Sequence, residues 1–127
     1  MRKRIVNVLA SLALLAAAFG VGGTVSAGTT GPYLDCPAGR ACLWSQNYYS
    51  GYGPSFEYSI ARMADHNYDN MARSVYNHGN DPDCKAVFYD SPYFFGRRAS
   101  VPRLQGIDVL GRYGLSREIS SAQFVCF

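Results

Sequence analysis

Residues 44–51 read WSQNYYSG, and residues 89–96 read YDSPYFFG. Each octet opens on an aromatic, carries a second aromatic five places later and closes on a glycine two places after that. Trp44, Tyr49 and Gly51 thus answer to Tyr89, Phe94 and Gly96. Further along, Arg73-Ser74-Val75 stands where Ser120-Ser121-Ala122 stands in the second copy. The offset grows from 45 at the octets to 47 at the serines, so a later loop of the second copy holds two extra residues. A copy of about 45 residues has room for four short strands but cannot bury an aromatic face alone, whereas two copies packed together can.

The spacing has a physical reason. A hairpin that folds back over its own sheet needs a residue of positive φ at the crease, where a Cβ would clash. The two aromatics cover the bend, each bringing a large apolar area. A serine on the last strand of the unit, Ser74 or Ser121, is placed to hydrogen-bond the bent backbone. The octet is therefore read as a structural corner built twice. The rest of the chain agrees, since short runs rich in aromatic and β-branched residues alternate with Gly, Pro, Asn and Asp clusters. Strands are expected at 41–44, 55–58, 74–77, 85–89, 98–101 and 122–127, while 60–72 admits a helical turn. The fold class is all-β.

Upstream of this repeat, Arg2, Lys3 and Arg4 precede an apolar stretch from Val8 to Val21 and then Val25-Ser26-Ala27. A cationic start, an apolar run and small residues at a cut site describe a secretory signal peptide over 1–27. The run is short of the roughly 20 residues that a spanning helix needs, so no membrane span is expected in the mature form. Of 12 basic and 9 acidic residues, the leader holds three basic ones, and residues 28–127 are formally neutral. Binding to nucleic acid through bulk charge is excluded, because that binding works by neutralising phosphates. Acidic residues outnumber basic ones over 28–83 and the reverse holds over 84–127, which reads as two solvated faces or two mutually attracting halves rather than a docking face.

About one hundred residues form one domain with a workable but thin core. Four cysteines after the leader suit an exported chain that adds covalent staples. They permit three pairings, which sequence does not separate. The pairing expected is Cys36–Cys42, closing the CPAGRAC loop, with Cys84–Cys126 tying a mid-chain strand to the C-terminus. A zinc site fails on spacing, since no CxxC pair exists and His66 and His78 stand in no ligand-like register with the cysteines.

WSQNYYSG and YDSPYFFG, each followed by its serine, resemble the signature of the βγ-crystallin fold, a sandwich of two Greek-key motifs, here about 35–78 and 84–127. The leader, the CPAGRAC opening, the length and the terminal cysteine resemble one branch in particular. It is the small secreted actinobacterial proteins classed with the metalloproteinase inhibitors of βγ-crystallin fold. The resemblance implies an extracellular inhibitor; the partner expected is an extracellular protease or a cell-surface partner, and the chain is expected to be a monomer. The resemblance also implies a calcium motif of two Asn/Asp residues, two of any kind, then Ser/Thr and Ser. Here the first copy reads Asp69-Asn70-Met71-Ala72-Arg73-Ser74 and the second Ser116-Arg117-Glu118-Ile119-Ser120-Ser121, so each has lost a different part. No cofactor is expected; Asp69, Asn70 and Ser120 are the residues to test for calcium.

Catalysis finds no support. Neither histidine sits in a recognisable triad context, no serine lies in a GxSxG elbow, and HExxH and phosphate-cradling loops are missing. An inhibitor instead needs an ordered segment, which loses less entropy on association. The candidate is NHGNDPD running into the bridge: Asn77, His78, Gly79, Asn80, Asp81, Pro82 and Asp83, with Lys85. Its plainer reading is a connection between the two units. A second binding hypothesis rests on the tyrosines, ten in all, with Tyr48, Tyr49, Tyr52 and Tyr58 crowded around one hairpin. Exposed tyrosines suit sugars or protein partners. An antimicrobial or cell-wall-binding effector is the alternative function.

Overall fold

The computed structural model describes residues Asp35–Phe127, which form one compact unit. The expected leader at 1–27 lies outside the described residues. Eight strands follow: β1 (Arg40–Trp44), β2 (Ser55–Phe56), β3 (Ser59–Ile60), β4 (Ser74–His78), β5 (Cys84–Ser91), β6 (Phe95–Val101), β7 (Gly106–Ile107) and β8 (Ser121–Cys126). They build two antiparallel four-stranded sheets, β2-β1-β4-β7 and β3-β8-β5-β6. The third strand of each Greek-key unit thus crosses to the other unit's sheet. β3 pairs with β8, and β7 pairs with β4.

The exchange explains why neither unit is self-sufficient. The sheets close on one core of Leu43, Phe56, Ile60, Met63, Tyr68, Val75, Phe88, Leu110, Leu115 and Ile119, all buried. Each large side chain contributes about 1.5–3 kcal/mol by leaving water. Phe56 of the first unit meets Phe88 and Phe124 of the second at centroid distances of 6.1 and 5.4 Å. The expected helical turn is a 3₁₀ turn at Met63–His66, and a counterpart lies at Leu110–Tyr113, where no element is expected from the sequence.

Matched hydrogen bonds tie the two units across a pseudo-twofold. Tyr48 N donates to Asp108 O as Tyr93 N does to Ala61 O, both at 2.8 Å. Met63 N donates to Ser120 O as Leu110 N does to Arg73 O, again at 2.8 Å. Asn70 N donates to Ile119 O at 3.1 Å, and Arg117 N to Ala72 O at 2.8 Å. Every ion pair among the described residues joins groups of the same half: Arg62–Asp65, Arg97–Asp90, Arg97–Glu118 and Arg112–Asp108.

Candidate functional site

The two corners take the same shape. Tyr48, Tyr49 and Gly51 have φ of 60, 59 and 88°, and Tyr93, Phe94 and Gly96 have 60, 66 and 91°. Ser74 Oγ accepts from Tyr49 N at 3.0 Å and donates to Gln46 O at 2.7 Å. Ser121 Oγ accepts from Phe94 N at 3.0 Å and donates to Ser91 O at 2.5 Å. Trp44 meets Tyr49 edge-on at 5.5 Å, as Tyr89 meets Phe94 at 5.8 Å. Trp44, Tyr49, Ser74, Tyr89, Phe94 and Ser121 thus serve the frame, whereas Tyr48 and Tyr93 keep exposed rings.

What the frame holds up is the far end of the sandwich, where two stapled loops meet. The Cys36–Cys42 bond closes the first, and Cys84–Cys126 joins directly opposed residues of β5 and β8. His78 Nδ1 lies 2.6 Å from Cys36 O; a carbonyl only accepts, so Nδ1 carries the proton. Gly39 N donates back to His78 O at 2.7 Å. The loops are therefore buttressed against each other as well as bridged.

The connection after β4 is held at Asn77, Gly79, Asp81 and Asp83. Asn77 is wholly buried; its Nδ2 donates to Val101 O and its Oδ1 accepts from Gly79 N, both at 2.8 Å. Arg103 Nε donates to Gly79 O at 2.9 Å. Asp81 Oδ1 accepts from Asp83 N at 2.8 Å, and Phe127 N donates to Asp83 O at 3.0 Å. Of the residues singled out from sequence, Asn77 and His78 belong to β4 and Gly79 is buried, so these three anchor the loop rather than display it. Asn80, Asp81, Pro82 and Asp83 are exposed, as is Lys85, whose Nζ lies 5.6 Å from the centroid of the Phe127 ring. Beside the loop is a cleft of about 260 Å³ lined by Glu57, Tyr58, Asn80, Asp81, Phe124 and the Cys84–Cys126 bridge.

Sequence reasoning missed two contributors. Arg103 and Leu104 sit in the segment 102–105, which replaces the two-residue stretch Glu57-Tyr58 of the first copy and holds the two extra residues. Leu104 takes φ 61° and its N–H donates to Asn77 O at 2.8 Å, while Asn77 N donates to Gln105 O at 2.9 Å. The change of offset from 45 to 47 was the signal; which loop carried it, and what it braced, was not written in the spacing.

The calcium candidates are brought partly together. Ser120 Oγ lies 3.3 Å from Asn70 Oδ1, while Asp69 is exposed and its carboxylate has no hydrogen bond or ion pair among the described residues. Two side-chain oxygens therefore converge here, against the six to eight oxygens, backbone carbonyls and waters included, that calcium takes. Among the described residues the one metal-like cluster is Asp81 with Cys84 and Cys126, whose sulfurs are committed to their disulfide. His66 is exposed at the end of its 3₁₀ turn. Tyr48, Tyr52 and Tyr58 are exposed, whereas Tyr49 packs on Trp44 and Tyr76. No helix among the described residues is long and apolar enough to cross a membrane.

The model of the peptidase inhibitor family I36 matches residues 29–101, which spans both octets and the connection between them. No curated protein matches the sequence. Among solved structures, a domain studied for the evolution of the eye-lens βγ-crystallin fold is 19% identical with a TM-score of 0.63, covering 85% of this chain and 95% of its own. A βγ-crystallin from Ciona intestinalis is 17% identical with a TM-score of 0.57, covering 67% of this chain and 98% of its own. A βγ-crystallin domain from Clostridium beijerinckii is 11% identical with a TM-score of 0.54, covering 67% and 95%. At such identities the likeness shows the fold alone: a βγ-crystallin sandwich.

Proposed function

Because the chain belongs to peptidase inhibitor family I36, we propose that it is a secreted inhibitor of metalloproteases that binds with the stapled end of the sandwich. Family membership makes it an inhibitor and not an enzyme. The observation that carries the choice of surface is the connection 79–83, exposed at its tip yet fixed by the Asn77 amide, Arg103 and the Cys84–Cys126 bridge. A loop already ordered before association loses little entropy on docking, and a loop bridged at its base resists release as product. Asn80, Asp81, Pro82, Asp83 and Lys85 are the contact residues of this proposal. Both disulfides suit an oxidising, extracellular setting. No metal has a part in it.

The test is a titration of a thermolysin-type metalloprotease with the purified protein. Stoichiometric loss of activity is the expected result; full activity at about tens of micromolar inhibitor, where even a weak complex is populated, contradicts the proposal. A second reading draws on the exposure of Tyr48, Tyr52 and Tyr58, at 60, 61 and 76%. These rings would suit a glycan on a cell wall. A polysaccharide pull-down that succeeds with the native protein and fails with Y48A/Y52A would favour that reading.

A further inference from the structure

The pseudo-twofold lets each unit serve as the control for the other, and at one place the two differ in the sign of their charge. Around Ser120 the second unit is rich in paired groups. Ser120 Oγ contacts Asn70 Oδ1 at 3.3 Å, Arg97 bonds Asp90 at 2.8 Å, and Glu118 lies 3.9 Å from Arg97. In the matching place of the first unit, Arg73 stands for Ser120 and Arg117 for Asn70. The backbone bonds fix this equivalence, since Arg117 N reaches Ala72 O as Asn70 N reaches Ile119 O. Ser45 replaces Asp90, Tyr52 replaces Arg97 and Met71 replaces Glu118. Both acids are gone, and two oxygen-bearing side chains have become guanidinium groups.

From this we infer a second site, independent of inhibition, that binds a tetrahedral oxyanion of the phosphate or sulfate type between Arg73 and Arg117. The two side chains line one cleft of about 210 Å³ with Ser45, Gln46, Tyr52 and Met71. Neither guanidinium has a hydrogen bond or ion pair among the described residues, and no carboxylate lines the cleft. Their backbones are rooted where the twin positions bring short side chains into contact, so two positive charges, which repel each other, line one cleft that holds no carboxylate. A bound anion removes that repulsion. Each guanidinium presents a planar fork of donors that matches paired oxygens, and two forks call for more oxygens than one carboxylate has. A tetrahedral dianion supplies both the oxygens and the charge. Ser45 Oγ accepts from Tyr52 N at 3.1 Å, which leaves its hydroxyl proton as a further donor.

The experiment is a titration of the full mature protein with inorganic phosphate at low ionic strength, read by calorimetry and by the Nε–H signals of the arginines. The expected result is saturable one-to-one binding that perturbs the Arg73 and Arg117 signals. It should weaken by about tenfold or more in R73Q and in R117Q, as expected for loss of a charge-assisted pair. R62Q, which removes a surface partner of Asp65, should leave binding unchanged. Sodium sulfate and sodium acetate form the comparison arms, with acetate expected to bind more weakly. Because sulfate raises the melting temperature of proteins in general, only the difference between native protein and R73Q/R117Q counts in a thermal assay. Absence of saturable phosphate binding, or binding that survives R73Q/R117Q, overturns the inference.

Discussion

A single carbon added at Gly96 would collide with Asp90 Oδ1 on a backbone already at φ 91°. Gly51 is alike, with Ser45 Oγ in the way and φ 88°. Gly96→Ala should therefore destabilise the protein by about 1–3 kcal/mol, the usual cost of forcing a side chain into such a conformation. In a domain of this size that lowers the melting temperature by about 4–8 °C per kcal/mol. Gly111→Ala is the control, since its Cβ would find nothing nearer than 3.8 Å; a change within about 0.5 kcal/mol is expected there. Asp90 makes a second prediction. Burial pulls its carboxyl upward, but hydrogen bonds from Arg97 and Ser91 and the Arg97 charge prevail and hold it below its ordinary value. A depressed carboxyl contributes stability that is present above its unfolded value of about 3.9 and is lost as pH falls through the lower folded one. Melting temperature measured from about pH 5 downward should fall more steeply in the native protein than in Asp90→Asn. Parallel curves would contradict this.

At the scale of elements, the corners were legible because their requirements are local. A positive φ asks for glycine, a fold-over asks for aromatic cover, and a bent backbone asks for a hydroxyl. The crossing strands β3 and β7 were not legible, because each is two residues long and two residues show no alternation. Nor was the anchoring role of Asn77 and His78. The expected strand stops at Asn77 and NHGNDPD reads as one polar loop, yet β4 runs on through His78, and Asn77 is buried because its amide meets Val101 O and Gly79 N. Asn77→Ala should cost about 1–3 kcal/mol by stranding those backbone groups. It should also speed hydrogen exchange at Gly79, while unchanged exchange there would show that the loop is held by other means. The two bridges should differ. In the loop-entropy model, removing Cys84–Cys126, at a separation of 42, costs about 4 kcal/mol, whereas removing Cys36–Cys42, at a separation of 6, costs about 2. Urea unfolding of C84A/C126A and C36A/C42A gives the comparison, and equal losses would argue against it.

For the molecule as a whole, the doubling that the octets announce is also what makes function hard to read. Most of the distinctive residues serve the shared frame, and the surfaces proposed for binding lie where the two copies stop matching. One mismatch is the loop 79–83 with its brace at 102–105; another is the Arg73–Arg117 cleft opposite the Asn70–Ser120 pair. The most direct test of the inhibitory surface is hydrogen–deuterium exchange of the protein mixed one-to-one with a thermolysin-type metalloprotease. The expected result is new protection at Asp81, Asp83 and Lys85, with Tyr48 and Tyr52 unchanged. Protection confined to the tyrosine hairpin, or no protection anywhere, would contradict the assignment of the stapled end as the protease-binding surface.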